Sequence, residues 1–201
     1  MDSDTFLTIA EPAEGLYKEK MSKFISFAIP VRSADEAKDY VKAFQKKYFD
    51  ARHVCWAYMI GAARTDFMSN DNGEPSGTAG RPILGQINSA GLTNVIIIVV
   101  RYFGGIKLGT SGLITAYKEA AADAIANANV IECHEQTEIS FTFPYIAMND
   151  VMRLVKSSDI TIVRQSFDNS CSMTMLIRTD FASQLCAKLT DIDGVTLSDM
   201  R

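Results

Sequence analysis

The chain has 201 residues and a mass of 22.1 kDa, enough for one large domain or two smaller ones with cores of their own. Hydrophobic residues at 47% and charged residues at 22% are globular proportions, which exclude a disordered chain, a coiled coil and a collagen-like repeat. A formal net charge of −4 excludes a uniformly basic nucleic-acid binder and leaves local basic patches open.

Within Glu14 to Pro30, the apolar and aromatic run Lys23 to Ile29 reads as a strand closed by a proline. Ser33 with Glu36 three residues on forms a capping box, and Ala37, Tyr40, Val41 and Phe44 give the helix that follows an apolar face. His53 to Ala62 returns to strand character and pairs with a shorter strand over Asp66 to Ser69. Asn70 to Pro82, rich in glycine and proline, is a loop, and Ile83 to Ala90 a short helix. The branched run Val95 to Phe103 predicts a buried strand, Gly104 to Gly109 a turn, and Thr110 to Asn129 a long alanine-rich helix.

Beyond Ile131 the pattern resets. Strand Gln136 to Phe143, helix Tyr145 to Ser157, strand Thr161 to Phe167, tight turn Asp168-Asn169-Ser170, strand Ser172 to Arg178, a helix capped by Asp180 and ending near Leu189, and a last strand after Gly194 give the order βαββαβ. That order is the ferredoxin-like split unit. The predicted fold class is α+β in two domains, residues 1–134 and 135–201. Net charge is −1 through His134 and −3 after it.

The acidic start Met1-Asp2-Ser3-Asp4 is unlike a secretory signal, and the longest apolar run, Val95 to Val100, is too short to cross a bilayer. A cytoplasmic protein with no membrane partner is expected. Four scattered cysteines without a CxxC pair, and only two histidines, point to reduced thiols and to neither a metal site nor a cofactor.

Two glycine-rich loops flank the predicted buried strand. The second, Gly104, Gly105, Ile106, Lys107, Leu108, Gly109, Thr110, Ser111 and Gly112, leads from a strand into a helix N-terminus, whose free N–H groups and partial positive charge attract anions. A P-loop is disfavoured because its lysine directly precedes the hydroxyl residue, whereas here the lysine is Lys107, and GxGxxG is absent in register. The same glycines suit a plain packing turn equally well. From Pro75 through Lys118 the chain has no acid and four cations, Arg81, Arg101, Lys107 and Lys118. This favours an anionic partner, although a window of buried strand and loops also has few charges.

The first loop, Asp71 to Pro82, offers Asp71 and Glu74 as bases or magnesium ligands, or as caps on neighbouring backbone. His53 and Cys55, two apart on a strand, share a face. They suit an activated thiol, but a core cysteine beside a structural histidine is the favoured reading.

Asp71 through Pro82 and Val100 through Gly109, preceded by Ala51 through Tyr58, closely resemble the three signature blocks of the bacterial YigZ and eukaryotic Impact family, in order and spacing. The resemblance runs over nearly the whole chain. Two departures are an asparagine at Asn72, where the family usually has aspartate, and a serine at Ser111, where it usually has glycine. The resemblance implies a first domain like the second domain of ribosomal protein S5 and a tail like the fifth domain of elongation factor G. It also implies a theme of ribosomes, RNA and regulation of translation. Eukaryotic Impact is associated with translational control through contact with a ribosome-associated kinase activator; a chain with the ferredoxin-like tail carries over only the ribosome or nucleic-acid theme.

The leading expectation is a non-enzymatic factor that binds RNA or a ribosomal surface through Arg81, Arg101, Lys107 and the Gly104 to Gly112 loop, with the tail sheet as a second contact face. One alternative is a hydrolase or phosphotransfer enzyme with Asp71, Glu74, His53 and Cys55 around a cleft; the other is a protein-interaction module.

Overall fold

The computed structural model describes residues 4–156, 159–168 and 170–200. Three features expected from sequence, the start at residues 1–3, the Ser157 end of a helix and Asn169 of a turn, lie outside the described residues. The chain divides into two compact units, one of residues 6–133 and one combining the described residues of 1–5 with those of 134–201. Among the described residues, five α-helices and three sheets make a mixed α+β, two-domain architecture. Among the described residues no helix is long and apolar enough to cross a membrane, and the four cysteines form no disulfides.

Up to the start of the smaller unit's sheet the chain runs β1 (Thr5–Ile9), β2 (Ala13–Glu19), β3 (Ser22–Pro30), α1 (Ala34–Lys47), β4 (His53–Ile60), β5 (Asp66–Asn70), α2 (Gly80–Ser89), β6 (Val95–Tyr102), α3 (Gly109–Ala126) and β7 (Val130–His134), with only the end residues Thr5 and His134 falling outside the larger unit. Strands β2-β3-β6-β4-β5 form an antiparallel sheet, and β1 pairs with β7 in a separate ribbon. Both faces of the sheet are covered, which is why β6 is an unbroken apolar run. Ile96, Ile98 and Val100 join Ala37 and Val41 of α1 in one core, while Val95, Ile97 and Val99 pack with Ile83 and Ile87 of α2 and Leu113, Ala116 and Ala120 of α3 in the other. Alanines on α3 bring that helix close to the sheet.

The capping box starts α1 as expected: the Glu36 N–H donates to Ser33 Oγ at 3.2 Å, while Glu36 Oε2 accepts from the Arg32 N–H at 2.7 Å. The stretch Glu14 to Pro30 is a hairpin of two strands turning at Lys20-Met21, both at positive φ. Neither is a customary residue for such a turn, so the sequence carries no signal for it. Helix α2 begins three residues earlier than expected, at Gly80, because Pro82 is tolerated in a first turn where its missing N–H has no partner to lose.

The smaller unit runs β8 (Gln136–Phe143), a 3-10 turn (Tyr145–Ala147), α4 (Met148–Lys156), β9 (Ile160–Phe167), β10 (Cys171–Arg178), α5 (Thr179–Thr190) and β11 (Thr196–Met200). The antiparallel order β11-β8-β10-β9 is the split βαββαβ arrangement. Phe141, Phe143, Met173 and Met175 on one sheet face pack with Val151, Val155, Leu185 and Leu189 of the two helices. Asp180 does not cap α5: β10 runs into the helix at Thr179 with Arg178 at the N-cap, and Asp180 lies in the first turn, where the helix dipole favours a carboxylate. Buried Asp4 accepts from Arg178 Nη2 at 2.9 Å and Nε at 3.2 Å; the guanidinium outweighs burial and holds its carboxyl down at about 2.

Candidate functional site

In the β4–β6 ladder, His53 lies opposite Arg101, and Arg101 lies opposite Phe24 of β3. Strand alternation points His53, Cys55 and Arg101 to the side covered by α2 and α3. The first glycine-rich loop folds back over this row and delivers Glu74 to it.

Glu74 is 8% exposed and Arg101 5% exposed. Arg101 Nη1 donates to Glu74 Oε1, and the Tyr117 hydroxyl donates to the same oxygen at 2.9 Å. On the other side, His53 Nε2 stands 3.7 Å from Glu74 Oε2. His53 Nδ1 lies 2.7 Å from the Asn72 carbonyl, which only accepts, so Nδ1 bears the proton. The Cys55 thiol donates to the Asp71 carbonyl at 3.0 Å and sits 3.3 Å from the Tyr117 oxygen. Burial pushes that thiol up to about 12; the Tyr117 hydrogen bond works the other way, and the Glu74 and Asp71 charges add to the rise. Burial, with Cys55 and Glu74 nearby, likewise raises the Tyr117 hydroxyl far above its ordinary value. At neutral pH Cys55 is a thiol and no nucleophile.

Asp71 is spent on the backbone. Its Oδ2 accepts from the Gly77 N–H at 2.8 Å, and its Oδ1 from the N–H groups of Ala79 at 3.0 Å and Gly80 at 2.8 Å, at the start of α2. Burial alone raises this carboxyl, but the three N–H donors reverse the direction and lower it. Asn72 sits at φ 43°, a region asparagine tolerates better than most residues, and its Oδ1 accepts from the Val54 N–H at 2.9 Å. The departure at position 72 therefore holds the loop to β4. Among the described residues no cluster of three His, Cys, Asp or Glu side chains is placed to hold a metal ion.

Above the Glu74–Arg101 pair opens a cleft of about 630 Å³, with Arg52, His53, Pro75, Phe103, Lys107, Leu108, Gly109, Thr110 and Leu113 completing its walls. Arg52, Lys107 and Thr110 are exposed. The α3 N-terminus opens here. Its N-cap, Leu108, supplies no side-chain acceptor, no acid lies in the first turn, and Gly109 takes the φ of 73° that begins the helix.

Of the residues expected in the anion loop, Arg101, Lys107, Gly109 and Thr110 share this cleft. Ser111 and Gly112 line a separate depression of about 310 Å³ with Tyr17, Lys20 and Thr115. Arg81 is exposed on α2, outside the cleft walls. Gly104 is a packing glycine: a Cβ there would stand 2.1 Å from the Met21 carbonyl carbon, and its N–H donates to Ser22 Oγ at 3.2 Å. Gly105 is an exposed turn residue. Arg101 differs from the expectation of a free charge, because Glu74, one residue before the acid-free window, folds onto it.

Two polar site residues, Arg52 and Tyr117, went unread in the sequence, as did the apolar walls Pro75, Phe103 and Leu113. Arg52 precedes β4 and donates its backbone N–H to the Arg101 carbonyl at 3.0 Å, a neighbourhood set by strand pairing alone. Tyr117 had a weak signal, being the one polar side chain in the buried row Leu113, Ala116, Tyr117, Ala120, Ala121 and Ala124.

Residues 20–125, which include every wall of the cleft, match the Impact N-terminal domain model, and the chain belongs to that family. It is 29% identical over 196 residues to the IMPACT family member YigZ of Escherichia coli (strain K12), covering 96% of each chain. To the IMPACT family member in pol 5'region of Thermus thermophilus it is 38% identical over 136 residues, covering 68% of this chain and 73% of that one. A solved structure described as that of a hypothetical protein matches with a TM-score of 0.76 at 28% identity over 98% of both chains.

Proposed function

We propose that this Impact-family chain is a non-enzymatic, translation-linked factor of the cytoplasm that binds RNA, free or on a ribosomal surface, through the cleft at the α3 N-terminus. The observation that carries the reading is an uncapped, acid-free N-terminus of an 18-residue helix opening between the exposed cations Lys107 and Arg52. Helix N–H groups and flanking cations are the chemistry that recognises phosphate. Family membership fits a role in translational control. An enzyme built on Cys55 is disfavoured by the buried, protonated thiol.

The test is co-sedimentation with ribosomes and filter binding to RNA across a salt series, for the natural chain and for Arg52→Ala combined with Lys107→Ala. The double variant should bind more weakly, with a salt slope shallower by about one for each phosphate that is no longer neutralised. Unchanged affinity and slope would overturn the reading.

A further inference from the structure

We infer that the cleft reads one unpaired guanine of the bound RNA through the Glu74 carboxylate and the His53 ring; this rests on the RNA reading above and gives it a base preference. Two acceptors on the cleft wall have nothing to accept. Arg101 and Tyr117 both donate to Glu74 Oε1, while Oε2 has no hydrogen bond among the described residues; His53 Nε2 stands 3.7 Å from it, beyond hydrogen-bonding distance. The proton on His53 Nδ1 is committed to the Asn72 carbonyl, which in the neutral ring leaves a lone pair on Nε2.

Both acceptors are open to a ligand. Among the described residues, the polar side-chain atoms sealed from solvent without a hydrogen-bond partner are Arg64 Nε and Arg101 Nε. Oε2 and Nε2 are therefore not sealed, and both side chains line the cleft. The Glu74 side chain is nevertheless only 3% exposed. A carboxylate oxygen so enclosed, with no donor of its own, is stabilised by any ligand that brings one.

Charge and donor pattern select that ligand. Two donors side by side fit the pair. An ammonium or guanidinium carries such donors, but Arg101 already neutralises Glu74, and Arg52 and Lys107 stand on the same walls, so a further cation is repelled. A neutral edge remains, and single-stranded RNA leaves its base edges free to be read. Guanine alone among the four bases presents two adjacent donors there, N1–H and the N2 amine. Adenine and cytosine set a ring acceptor beside their amine, and uracil flanks N3–H with carbonyls, so each would turn a lone pair toward Oε2 or Nε2. Phe103, 47% exposed on the same cleft, offers a ring on which the base can stack, and about 630 Å³ is room for one base and its sugar.

Anisotropy titrations of the full chain with oligouridylates whose central residue is guanosine, inosine, 1-methylguanosine, adenosine, cytidine or uridine test the inference. The guanosine oligomer should bind at least about tenfold more tightly than each of the others, since inosine lacks the N2 amine and 1-methylguanosine the N1 proton. Glu74→Gln, whose amide sets a donor where Oε2 accepts, should bring the guanosine and inosine oligomers within about twofold of each other. A thermal melt checks that this variant folds, and the natural chain's series decides alone where it does not. Lys107→Ala should weaken every oligomer alike and keep the guanosine preference. Equal binding of the guanosine and inosine oligomers to the natural chain, tighter binding of another base, or a folded Glu74→Gln that keeps the preference would overturn the inference. Binding without base preference that still depends on Lys107 removes only this inference, whereas binding of no oligomer removes the broader RNA reading with it.

Discussion

The two glycine-rich loops have similar compositions and opposite fates. Each leads into a helix, but the N-terminus of α2 is closed by the Asp71 carboxylate, whereas that of α3 has no side-chain acceptor and opens on a cleft with Lys107. The difference is one of charge placement. Acids in the first loop turn inward onto N–H groups, Arg101 and Tyr117; the second loop has no acid, so its donors stay available. A helix end is an anion site only where the chain has not already provided the anion.

The largest effect separating the loops should come from Glu74. Glu74→Ala leaves the Arg101 guanidinium buried without its counter-charge, and urea unfolding should show a loss of about 3–5 kcal/mol. A loss below about 1 kcal/mol, within what an exposed ion pair contributes, would show that the first loop does not hold the fold together. Next comes Gly104→Ala, whose new methyl meets Met21 backbone and should destabilise by about 1–3 kcal/mol through displacement of the β2–β3 turn. Thermal melts read this directly.

Asp71→Asn should cost about 0.5–2 kcal/mol as a weakened cap and should also change the acid limb of stability. The folded carboxyl is lowered, so its contribution is complete above the unfolded value near about 4 and disappears as pH falls through the folded value. Unfolding free energies measured between neutral pH and pH 3 should therefore drop less steeply for the variant. An identical slope would mean that the three N–H groups do not favour the ionised form.

In the open loop the ordering reverses. Lys107→Ala should leave stability within about 0.5 kcal/mol of the natural chain while weakening RNA binding and flattening its salt dependence by about one. Ser111→Ala should do neither, because Ser111 faces the neighbouring depression. An RNA defect in Ser111→Ala equal to that of Lys107→Ala would move the site away from the cleft.

Much of this was legible in the chain. The β6 run, the capping box at Ser33 and the βαββαβ order of the tail are local patterns, and local patterns survive folding. His53 and Cys55 could be placed on one face from alternation alone. What escaped were features created by pairing at a distance. Glu74 reaches Arg101 across 27 positions, Tyr117 reaches Glu74 across 43, and Arg52 meets Arg101 only because β4 lies beside β6. A count of charges along the chain could not show that Arg101 is neutralised, since its partner stands just outside the acid-free window. The Lys20-Met21 turn was hidden for another reason: neither residue announces a left-handed backbone.

The central claim, that the α3 end and not the α2 end receives the anion, is tested most directly by following backbone amide resonances while RNA is added to isotopically labelled protein. The account predicts progressive shifts at Gly109 and Thr110, with Ala79 and Gly80 unmoved because Asp71 already occupies their N–H groups. Shifts at Ala79 and Gly80 with Gly109 and Thr110 unchanged, or no shifts at either helix end, would contradict it.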